Sequence, residues 1–512
     1  MAACEWDAVR IHGRALLDAG EDTEALESVA AAAWWLDDEP ALFDARERLF
    51  RLYRSCGDDQ AAAHVALRLS WDSTLFRGDT AAARGWAARS RRLLDTVRSA
   101  DLAMLLVRES VWESDPAAAR AVLGKAAEIA REVNAFEVEL LASVFDGMRL
   151  VSMGHLDEAW AHLDEAILAA CTGELTDQLV VMLACCQTLE ACAKVGDFDR
   201  GREWSARVAV IAERVNSEGV LAVSRCLYAP LLRSRGDFAA TDSLLNEALR
   251  YFDERVPSQS PLVLVELAEL RRRQGRPAQA MRLLQRAEAA VRCRLVRAQL
   301  ALDAGDWEAA AESAAAYLRQ SGPPDHLARS EALVVLARAQ ANASRLSEAR
   351  VAAHAAAEVA ATIATPATMA AAQVAVGTVL AADGDAAAAG EALGDAVDTY
   401  ARAGMEFEVA RTRLQLAETL SALGRDKDAE EQRRASAAGL AQLRTGTARQ
   451  LLTHRERDIA RMIAAGLSDG AIARRLKISE HTVHRHVANL RARLGVPSRA
   501  AAVARAQELD LL

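Results

Sequence analysis

Lysine is scarce in this chain, and its positions exclude a common kind of nucleotide-binding site. Among 512 residues it occurs only at positions 125, 194, 427 and 477. A P-loop has the pattern Gly-x4-Gly-Lys-Ser/Thr, because its backbone N–H groups and its lysine hold the phosphates. Lys125 follows Gly124 but precedes Ala126, and the other three lysines do not follow a glycine. ATP-driven switching by this chain is therefore not expected.

Several sequence patterns of hydrolases and metalloenzymes are also missing. There is no HExxH or CxxC, and no pair of carboxylates in a recognisable catalytic setting. The eight cysteines are scattered through apolar helical stretches, which is typical of reduced, packed thiols in the cytosol. A redox or metal site at Cys185, Cys186 and Cys192 is the alternative. We predict no enzyme activity, no catalytic residues, no cofactor and no metal.

Long, strongly apolar runs are absent as well. The segment MAACEWDAVRIHGR has no basic region followed by an apolar one, so we do not expect a signal peptide. Residues 351–382 carry few charges, but they are mostly alanine and threonine and are interrupted by His354, Glu358 and Pro366. A membrane span needs about 20 strongly apolar residues. We therefore predict a buried helix pair there, no membrane contact and a cytoplasmic location.

Alanine is abundant, and the chain repeats itself about every 40 residues. Because alanine gives up little side-chain entropy in a helix, this composition favours helices. In each repeat a helix ends at a turn residue, often glycine followed by aspartate, and an alanine-rich second helix begins. The clear turns are Gly78, Gly154, Gly196, Gly236, Gly275, Gly305, Gly384 and Gly424, and weaker ones are Asp37, Ser114 and Ser344. Their successive spacings are 41, 36, 40, 42, 40, 39, 30, 39, 40 and 40 residues.

This period and turn chemistry predict a helical solenoid. Glycine closes a helix in the left-handed conformation, and the following aspartate caps the next helix. The pattern resembles tetratricopeptide-like repeats in a longer form, although the W-x2-L-G-x2-Y signature is missing. At the short interval of 30 residues we expect one helix to run into the next without a turn, over residues 287–302. The tryptophans among the repeats are predicted to pack between helices, and an aromatic ligand site is the alternative.

The last part of the chain differs from the rest in charge. Residues 451–512 contain 11 Arg/Lys and 6 Asp/Glu, whereas residues 1–450 contain 51 and 66. A small basic region joined to a large acidic one suits DNA binding, since phosphate neutralisation supplies most nonspecific affinity. Chance clustering of arginines is the alternative on charge alone. We predict a repeat region at 1–443, a linker at 444–450 and a separate domain at 451–512.

Four short helices are predicted in this domain. The first spans about 454–465 and is closed by Gly466, and Ser468, Ser479 and Ser498 are suited to cap the other three. In the third helix one buried stripe is formed by Val483, Val487, Leu490 and Leu494. The opposite face carries His481, His484, Arg485, Ala488 and Arg491. Two helices joined by a short turn, with the second polar and basic outward, indicate a helix-turn-helix that contacts bases in the major groove.

Individual roles follow from the positions on this helix. Arg485 is our candidate for direct base contact, because it lies in the first half of the third helix. Ser479, Thr482 and His486 are better placed for phosphates. The domain could also be a plain helical bundle whose arginines are only solvated.

The segment 452–504 resembles the LuxR-family, GerE-type DNA-binding domain. It matches LTxRE at Leu452–Glu456, GLS at Gly466–Ser468, IAxxL at Ile472–Leu476, ISxxTVxxH at Ile478–His486 and LGVxSRxxAV at Leu494–Val503. The resemblance implies a four-helix domain that dimerises through its last helix, Arg499–Glu508, on a two-fold-symmetric site. The implied dimer contacts are Ala500, Val503 and Ala504. The whole chain resembles actinobacterial-type LuxR regulators whose repeats are joined directly to this domain.

Several positions depart from the family pattern. His454 replaces a common proline, Ala460 a common leucine, and Gly470-Ala471 a common Lys-Glu pair. His484 replaces a lysine or arginine that usually faces DNA. Histidine is mostly neutral near pH 7 unless phosphate stabilises its charge, so we expect weaker or pH-dependent affinity. Gly470 is expected to weaken the second helix by roughly 1 kcal/mol relative to alanine.

Together these features predict an all-α protein: a tetratricopeptide-like helical-repeat superhelix followed by a four-helix LuxR-type helix-turn-helix domain. The predicted function is that of a bacterial, homodimeric transcription regulator that binds double-stranded DNA. Its repeats would receive an unknown protein, peptide or small-molecule signal, and RNA polymerase is a further candidate partner. The alternatives are a protein–protein scaffold whose terminal domain does not bind DNA usefully and, more distantly, a signalling enzyme.

Overall fold

The computed structural model describes residues 6–11, 22–94, 97–288, 290–320, 326–445, 454–464, 466–476, 479–494, 496 and 498–508. The described residues form helices and turns without a strand, which confirms the all-α prediction. The repeat region contains α1 (Thr23–Trp35), α2 (Glu39–Cys56), α3 (Asp59–Arg77), α4 (Thr80–Leu94), α5 (Ala100–Ser110), α6 (Pro116–Glu132), α7 (Phe136–Met153), α8 (Leu156–Thr172), α9 (Gln178–Val195), α10 (Phe198–Val215), α11 (Glu218–Ser234), α12 (Phe238–Arg255), α13 (Ser260–Arg273), α14 (Pro277–Arg286), α15 (Cys293–Ala304), α16 (Trp307–Gln320), α17 (His326–Asn342), α18 (Leu346–Ile363), α19 (Pro366–Ala382), α20 (Ala386–Arg402), α21 (Glu406–Ala422) and α22 (Asp426–Thr445).

These helices form consecutive antiparallel pairs, and every predicted turn joins the two helices of one pair. All eight predicted glycines have a left-handed backbone, with φ between 64° and 92°. Asp37 and Ser344 share this conformation, whereas Ser114 does not. Aspartates after the glycines cap the next helix: Asp197 accepts from the N–H of Arg200 at 3.1 Å. The predicted turn chemistry is therefore confirmed.

A second set of turns, between one pair and the next, was not predicted from the sequence. They also use left-handed residues, at Gly57, Asn134, Gly173, Asn216, Ala364 and Gly404. Their identities vary, so they show no common pattern in the sequence. Each closes a second helix and returns the chain to the next pair.

The prediction of a continuous helix over 287–302 is wrong. Helix α14 ends at Arg286 and α15 begins at Cys293, with a reversal between them. Ala287 and Cys293 are buried in one cluster with Leu284. The Cys293 thiol also donates a hydrogen bond to the Leu284 carbonyl oxygen, with an S···O distance of 3.4 Å. These side chains are buried together because the chain reverses between the two helices. The free energy gained by this burial outweighs the intrinsic helix preference of alanine, which is weak.

The odd-numbered helices form the inner layer of the superhelix, and the even-numbered helices form the outer one. Successive inner helices contact one another, as α7, α9 and α11 do, and so do α17 and α19. Glycine allows two of the close approaches within pairs: Gly147 lies against α8, and Gly377 lies against α20. The predicted solenoid is thus observed, with alanine and glycine where its helices meet.

The superhelix winds tightly enough for distant repeats to touch. The Trp6 indole donates to the Val215 carbonyl at 2.8 Å, and the Ser258 hydroxyl donates to the Phe76 carbonyl at 2.6 Å. Further along, the rings of Phe238 and Phe407 lie 6.4 Å apart. These partners are separated by 209, 182 and 169 residues, which is four to five repeats. Successive superhelical turns therefore pack against each other.

Buried tryptophans and cysteines take part in this packing. Trp34 and Trp35 are 5% and 7% exposed, which agrees with the packing role predicted for the tryptophans. Cys185 and Cys192 are buried, and burial raises the pKa of Cys192 to about 12. Among the described residues, no group of three or more His, Cys, Asp or Glu side chains is arranged to hold a metal.

The apolar composition of helices α9, α18 and α19 is explained by their packing inside the repeat region. The predicted helix pair over 351–382 is observed as α18 and α19. A different helix, α9, is the one described helix whose length and composition would allow it to cross a membrane. More than half of it is buried between its neighbours, as expected for a core helix.

Two turn glycines with similar backbones provide a test of the superhelical contact. A Cβ added to Gly154, which has φ 86°, would lie 2.6 Å from the carbonyl oxygen of Thr362 in another superhelical turn. A Cβ added to Gly384, with φ 92°, would meet nothing within 4 Å. Gly384→Ala should cost roughly 1–2 kcal/mol because of its left-handed backbone. Gly154→Ala should cost clearly more, since a backbone oxygen cannot move aside easily. Urea unfolding checks this, and equal midpoints for the two variants would contradict the contact.

Asp37 provides a test that depends on pH. It lies between α1 and α2, and its carboxylate accepts a hydrogen bond from the Tyr251 hydroxyl on α12. Burial raises the pKa of Asp37 to about 6, against the opposing effects of Tyr251 and Arg255. The folded state therefore binds this proton more tightly than the unfolded state, and Asp37 costs stability as the pH rises from about 4 to 6.

Asp37→Asn keeps an acceptor oxygen, removes the charge and suits the left-handed backbone. We expect it to stabilise the protein at pH 7.5 by about 1 kcal/mol, allowing for partial exposure. The advantage should shrink towards zero below pH 4. Unfolding measured across this pH range checks it, and a variant that is less stable than wild type at pH 7.5 would refute it.

Candidate nucleic-acid interface

Four short helices follow the repeat region, as predicted. They are α23 (His454–Ala464), α24 (Asp469–Leu476), α25 (Glu480–Leu494) and α26 (Arg499–Glu508). The three predicted serine caps are in place: the hydroxyls of Ser468, Ser479 and Ser498 accept from backbone N–H groups three residues on, at 3.3, 3.1 and 3.1 Å. Gly466 closes α23 with φ 78°. The sequence thus marks the start of each later helix in this domain.

The predicted stripe of α25 packs into the core of the domain. Val483 and Leu490 are fully buried, and Val487 is 8% exposed. Ile459 of α23 and Ile472 of α24 are fully buried and complete the centre. The side chain of Leu494 lies outside the described residues. Burial of this stripe fixes the orientation of α25, so that its other face is directed away from the domain.

The predicted DNA-contacting residues lie at the start of α25 and along this outer face. Ser479, His484, Ala488 and Arg491 are exposed, while Thr482 and His486 are half-buried. The hydroxyls of Ser479 and Thr482 are 2.8 Å apart. His481 and Arg485 occupy helical positions of α25, but their side chains lie outside the described residues. The assignment of these eight residues to DNA contact stays a prediction.

Asp469, at the start of α24, links three helices, and sequence reasoning did not single it out. One of its carboxylate oxygens lies 3.0 Å from Nε2 of His484 on α25. The other lies 2.8 Å from a guanidinium nitrogen of Arg499 on α26. Arg499 also donates to the Leu467 carbonyl at 2.6 Å. The histidine that departs from the family pattern therefore has a partner within the domain. Arg499 belongs to a recognised motif, but only the fold brings it to Asp469.

Gly470, another departure from the family pattern, lies beside the start of α25. A Cβ at this position would be 2.6 Å from a carboxylate oxygen of Glu480. Glycine therefore leaves room for this side chain. Because the oxygen is at the end of a flexible chain, the close approach is not obligatory.

The last helix packs on the domain through one face. Ala502 and Ala506 are fully buried, four residues apart on α26. Of the three predicted dimer contacts, Val503 is half-buried, and the side chains of Ala500 and Ala504 lie outside the described residues. The dimer contacts stay a prediction.

The predicted domain boundaries also remain untested. Helix α22 extends to Thr445, two residues beyond the predicted end of the repeats at 443. Residues 446–453, which contain most of the predicted linker, lie outside the described residues.

Gly470 allows a test of how α24 and α25 are stabilised. Gly470→Ala should stabilise the domain by up to about 1 kcal/mol, because alanine favours the helix and Glu480 can rotate away. Hydrogen exchange of the α24 and α25 amides should slow accordingly. Gly466→Ala is the matched control, and its left-handed backbone should make exchange faster. Faster exchange in Gly470→Ala would show that the Glu480 contact matters more than helix preference.

Comparison with known proteins agrees with this geometry. The family described as bacterial regulatory proteins, luxR family, matches residues 450–506. A helix-turn-helix-type transcriptional regulator of Mycobacterium tuberculosis is 48% identical over 48 residues. These residues are 9% of this chain and 5% of that protein, so the likeness concerns a short segment of each.

Solved structures resemble the repeats more loosely. The Rap protein complexed with competence and sporulation factor is 14% identical over 73% of this chain and 93% of that one, with a TM-score of 0.34. The apo form of the quorum sensor NprR from B. thuringiensis is 15% identical over 65% and 97%, with a TM-score of 0.39. Because both TM-scores are below 0.5, nothing about function follows from them. Residues 450–506 are a LuxR-type helix-turn-helix domain, joined in this chain to a tetratricopeptide-like helical-repeat superhelix.

Proposed function

We propose that this chain is a bacterial, cytoplasmic transcription regulator that binds a two-fold-symmetric DNA site as a homodimer. The observation that supports this most directly is the orientation of α25 within a LuxR-type domain. Its apolar stripe is buried, and its polar face is directed outward. A helix presented in this way fits the major groove of B-DNA.

On DNA, the start of α25 would lie at the backbone and its first half at the bases. Ser479 and Thr482 are placed where the N-terminus of a helix can bind phosphate. His486 is assigned to phosphate as well. Arg485 would reach base edges, where a guanidinium can donate two hydrogen bonds to guanine. The small side chain of Ala488 allows close approach between helix and DNA.

Dimerisation is assigned to α26. Ala502 and Ala506 define the face that packs on the domain. By the helical period of 3.6 residues, positions 500 and 504 fall on the opposite side of this helix, and the half-buried Val503 lies at the edge of the packed face. That face is therefore available to a second copy, and two such domains would place two α25 helices on adjacent turns of the duplex.

The repeats would receive the signal, and a change in their curvature or in the dimer contacts would alter how residues 479–491 meet DNA. RNA polymerase is assigned as a partner only through the family resemblance. A cavity of about 870 Å³, lined mostly by the odd-numbered helices, supports a ligand-receiving role for this region.

One observation favours the alternative of a scaffold with a weak DNA-binding domain. His484 lies within 3.0 Å of Asp469, so a carboxylate stands beside the face that would meet phosphates. The two functions differ in whether the full chain selects a DNA sequence.

Selection from a random pool of DNA duplexes by the full-length protein provides the test. We expect enrichment of a two-fold-symmetric site. Arg485→Ala should bind that site roughly tenfold to hundredfold more weakly, because one bidentate base contact contributes about 1–3 kcal/mol of discrimination. Arg434→Ala removes the same charge from an exposed position on α22 and should bind like wild type. If no sequence is enriched at low salt, the scaffold is the better explanation.

A further inference from the structure

The cavity inside the superhelix is basic, although the surrounding repeat region is acidic. It has a volume of about 870 Å³, within the range of ligand-binding pockets, and most of its lining residues lie on odd-numbered helices from α9 to α21. Nine basic and seven acidic side chains line it. Residues 1–450, in contrast, carry 51 basic and 66 acidic side chains. Cationic groups are therefore concentrated here against the overall charge.

Most of these charges neutralise one another in a network that spans distant repeats. Arg272 on α13 lies 2.7 Å from Glu269 and 2.6 Å from Asp303 on α15. The second oxygen of Asp303 lies 2.6 Å from Arg411 on α21. Arg273 lies 2.8 Å from Glu408, also on α21. Each oxygen of Asp303 therefore already pairs with an arginine of another helix.

Arg338 on α17 is left without a carboxylate. No described acidic side chain lies within ion-pair distance of its guanidinium, and its buried Nε has no hydrogen-bond partner. Burial lowers the pKa of Arg338 to about 10, and the nearby Arg411 adds to this effect, against the opposing attraction of Asp303. The group is still protonated at neutral pH. A partly buried charge without an ion-pair partner costs free energy, and a bound anion would offset that cost.

Apolar groups beside these charges complete a site for an organic molecule. Tyr400 and Phe407 line the cavity and are 6% and 5% exposed. The Arg273 guanidinium lies 4.8 Å from the centre of the Phe407 ring. Around Asp303, four arginines (272, 273, 338 and 411) face three carboxylates (Glu269, Asp303 and Glu408), which leaves one positive charge. A single negative charge with an apolar body matches this surplus.

We propose that this cavity binds an apolar carboxylate, whose carboxylate group pairs with Arg338. The planar guanidinium can donate two parallel hydrogen bonds to a carboxylate, which makes it a specific partner. The carboxylate belongs either to a small organic acid or to the C-terminus of a short peptide. The repeats are proposed above to receive a signal, and this site gives the chemical class of that signal; in this sense it rests on the proposed function. Ligand binding itself does not require DNA.

Matched acids and amides provide the test on the full-length protein. Phenylacetate and its neutral amide, phenylacetamide, are the small-molecule pair. A pool of random pentapeptides with free C-termini and the same pool amidated are the peptide pair. Binding is followed by ligand-observed NMR and by the shift in melting temperature. We expect one of the two acids to bind, at least about tenfold more tightly than its amide, since the charged hydrogen bonds are lost in the amide. Which acid binds identifies the source of the carboxylate.

Arg338→Met keeps the length of the side chain and removes the charge, and it should bind that acid at least about tenfold more weakly. Arg338→Lys should retain part of the affinity. Arg250→Met, at an exposed position on α12, is the control and should bind like wild type. The proposal is overturned if acid and amide bind equally, if neither acid binds at millimolar concentration, or if Arg338→Met keeps wild-type affinity.

Two further measurements separate this site from a structural role and from the DNA-binding function. Because Arg338→Met removes an uncompensated charge, its melting temperature without ligand should equal or exceed that of wild type. A fall of several degrees would identify Arg338 as a structural residue and overturn the proposal. DNA selection by the same variant should remain as in wild type. Failure of wild type to select DNA would refute the proposed regulator while leaving the acid-binding result unaffected.

Discussion

The repeat region depends on one backbone feature, a left-handed residue that closes the first helix in ten of the eleven described helix pairs. At eight of these turns the residue is glycine, which adopts this conformation without a steric cost. The aspartate that often follows caps the next helix, so one short segment ends a helix and starts another. Since the turns recur about every 40 residues, the pairs stack regularly and wind into a superhelix. At Gly154 the residue must also be small, because the backbone of Thr362, in another turn of the superhelix, lies against it.

Winding has a chemical consequence inside the superhelix. The charged residues of α13, α15, α17 and α21 are far apart in the chain, yet they meet around Asp303. Charges that would be solvated on an isolated helix pair are partly buried here. A charge that has no ion-pair partner therefore lowers the stability of the folded state. Arg338, which lines the cavity, has no carboxylate among the described residues within ion-pair distance. A helical scaffold thereby becomes a cavity with a defined surplus of charge.

The helix-turn-helix domain follows a similar logic on a smaller scale. Serine caps start three of its helices, and a narrow apolar stripe orients α25. Asp469 then connects α24 to α25 through His484 and to α26 through Arg499. The helix assigned to DNA and the helix assigned to dimerisation are thus joined through a single carboxylate. Gly470 leaves room for Glu480 at the same junction, so two of the departures from the family pattern, His484 and Gly470, lie where α24 meets α25.

The sequence by itself determined the helical class, the turns within each pair, the serine caps and the family of the C-terminal domain. These features are local: each depends on a few neighbouring residues whose backbone preferences or motif can be recognised directly. The reversal between α14 and α15 was missed, because burial of Ala287 and Cys293 outweighed the helix preference of an alanine-rich segment. The contact between Asp469 and His484 and the isolation of Arg338 were decided only by the tertiary structure. Both depend on which helices come together across many residues, and a charge is paired or unpaired only once its neighbours in space are known.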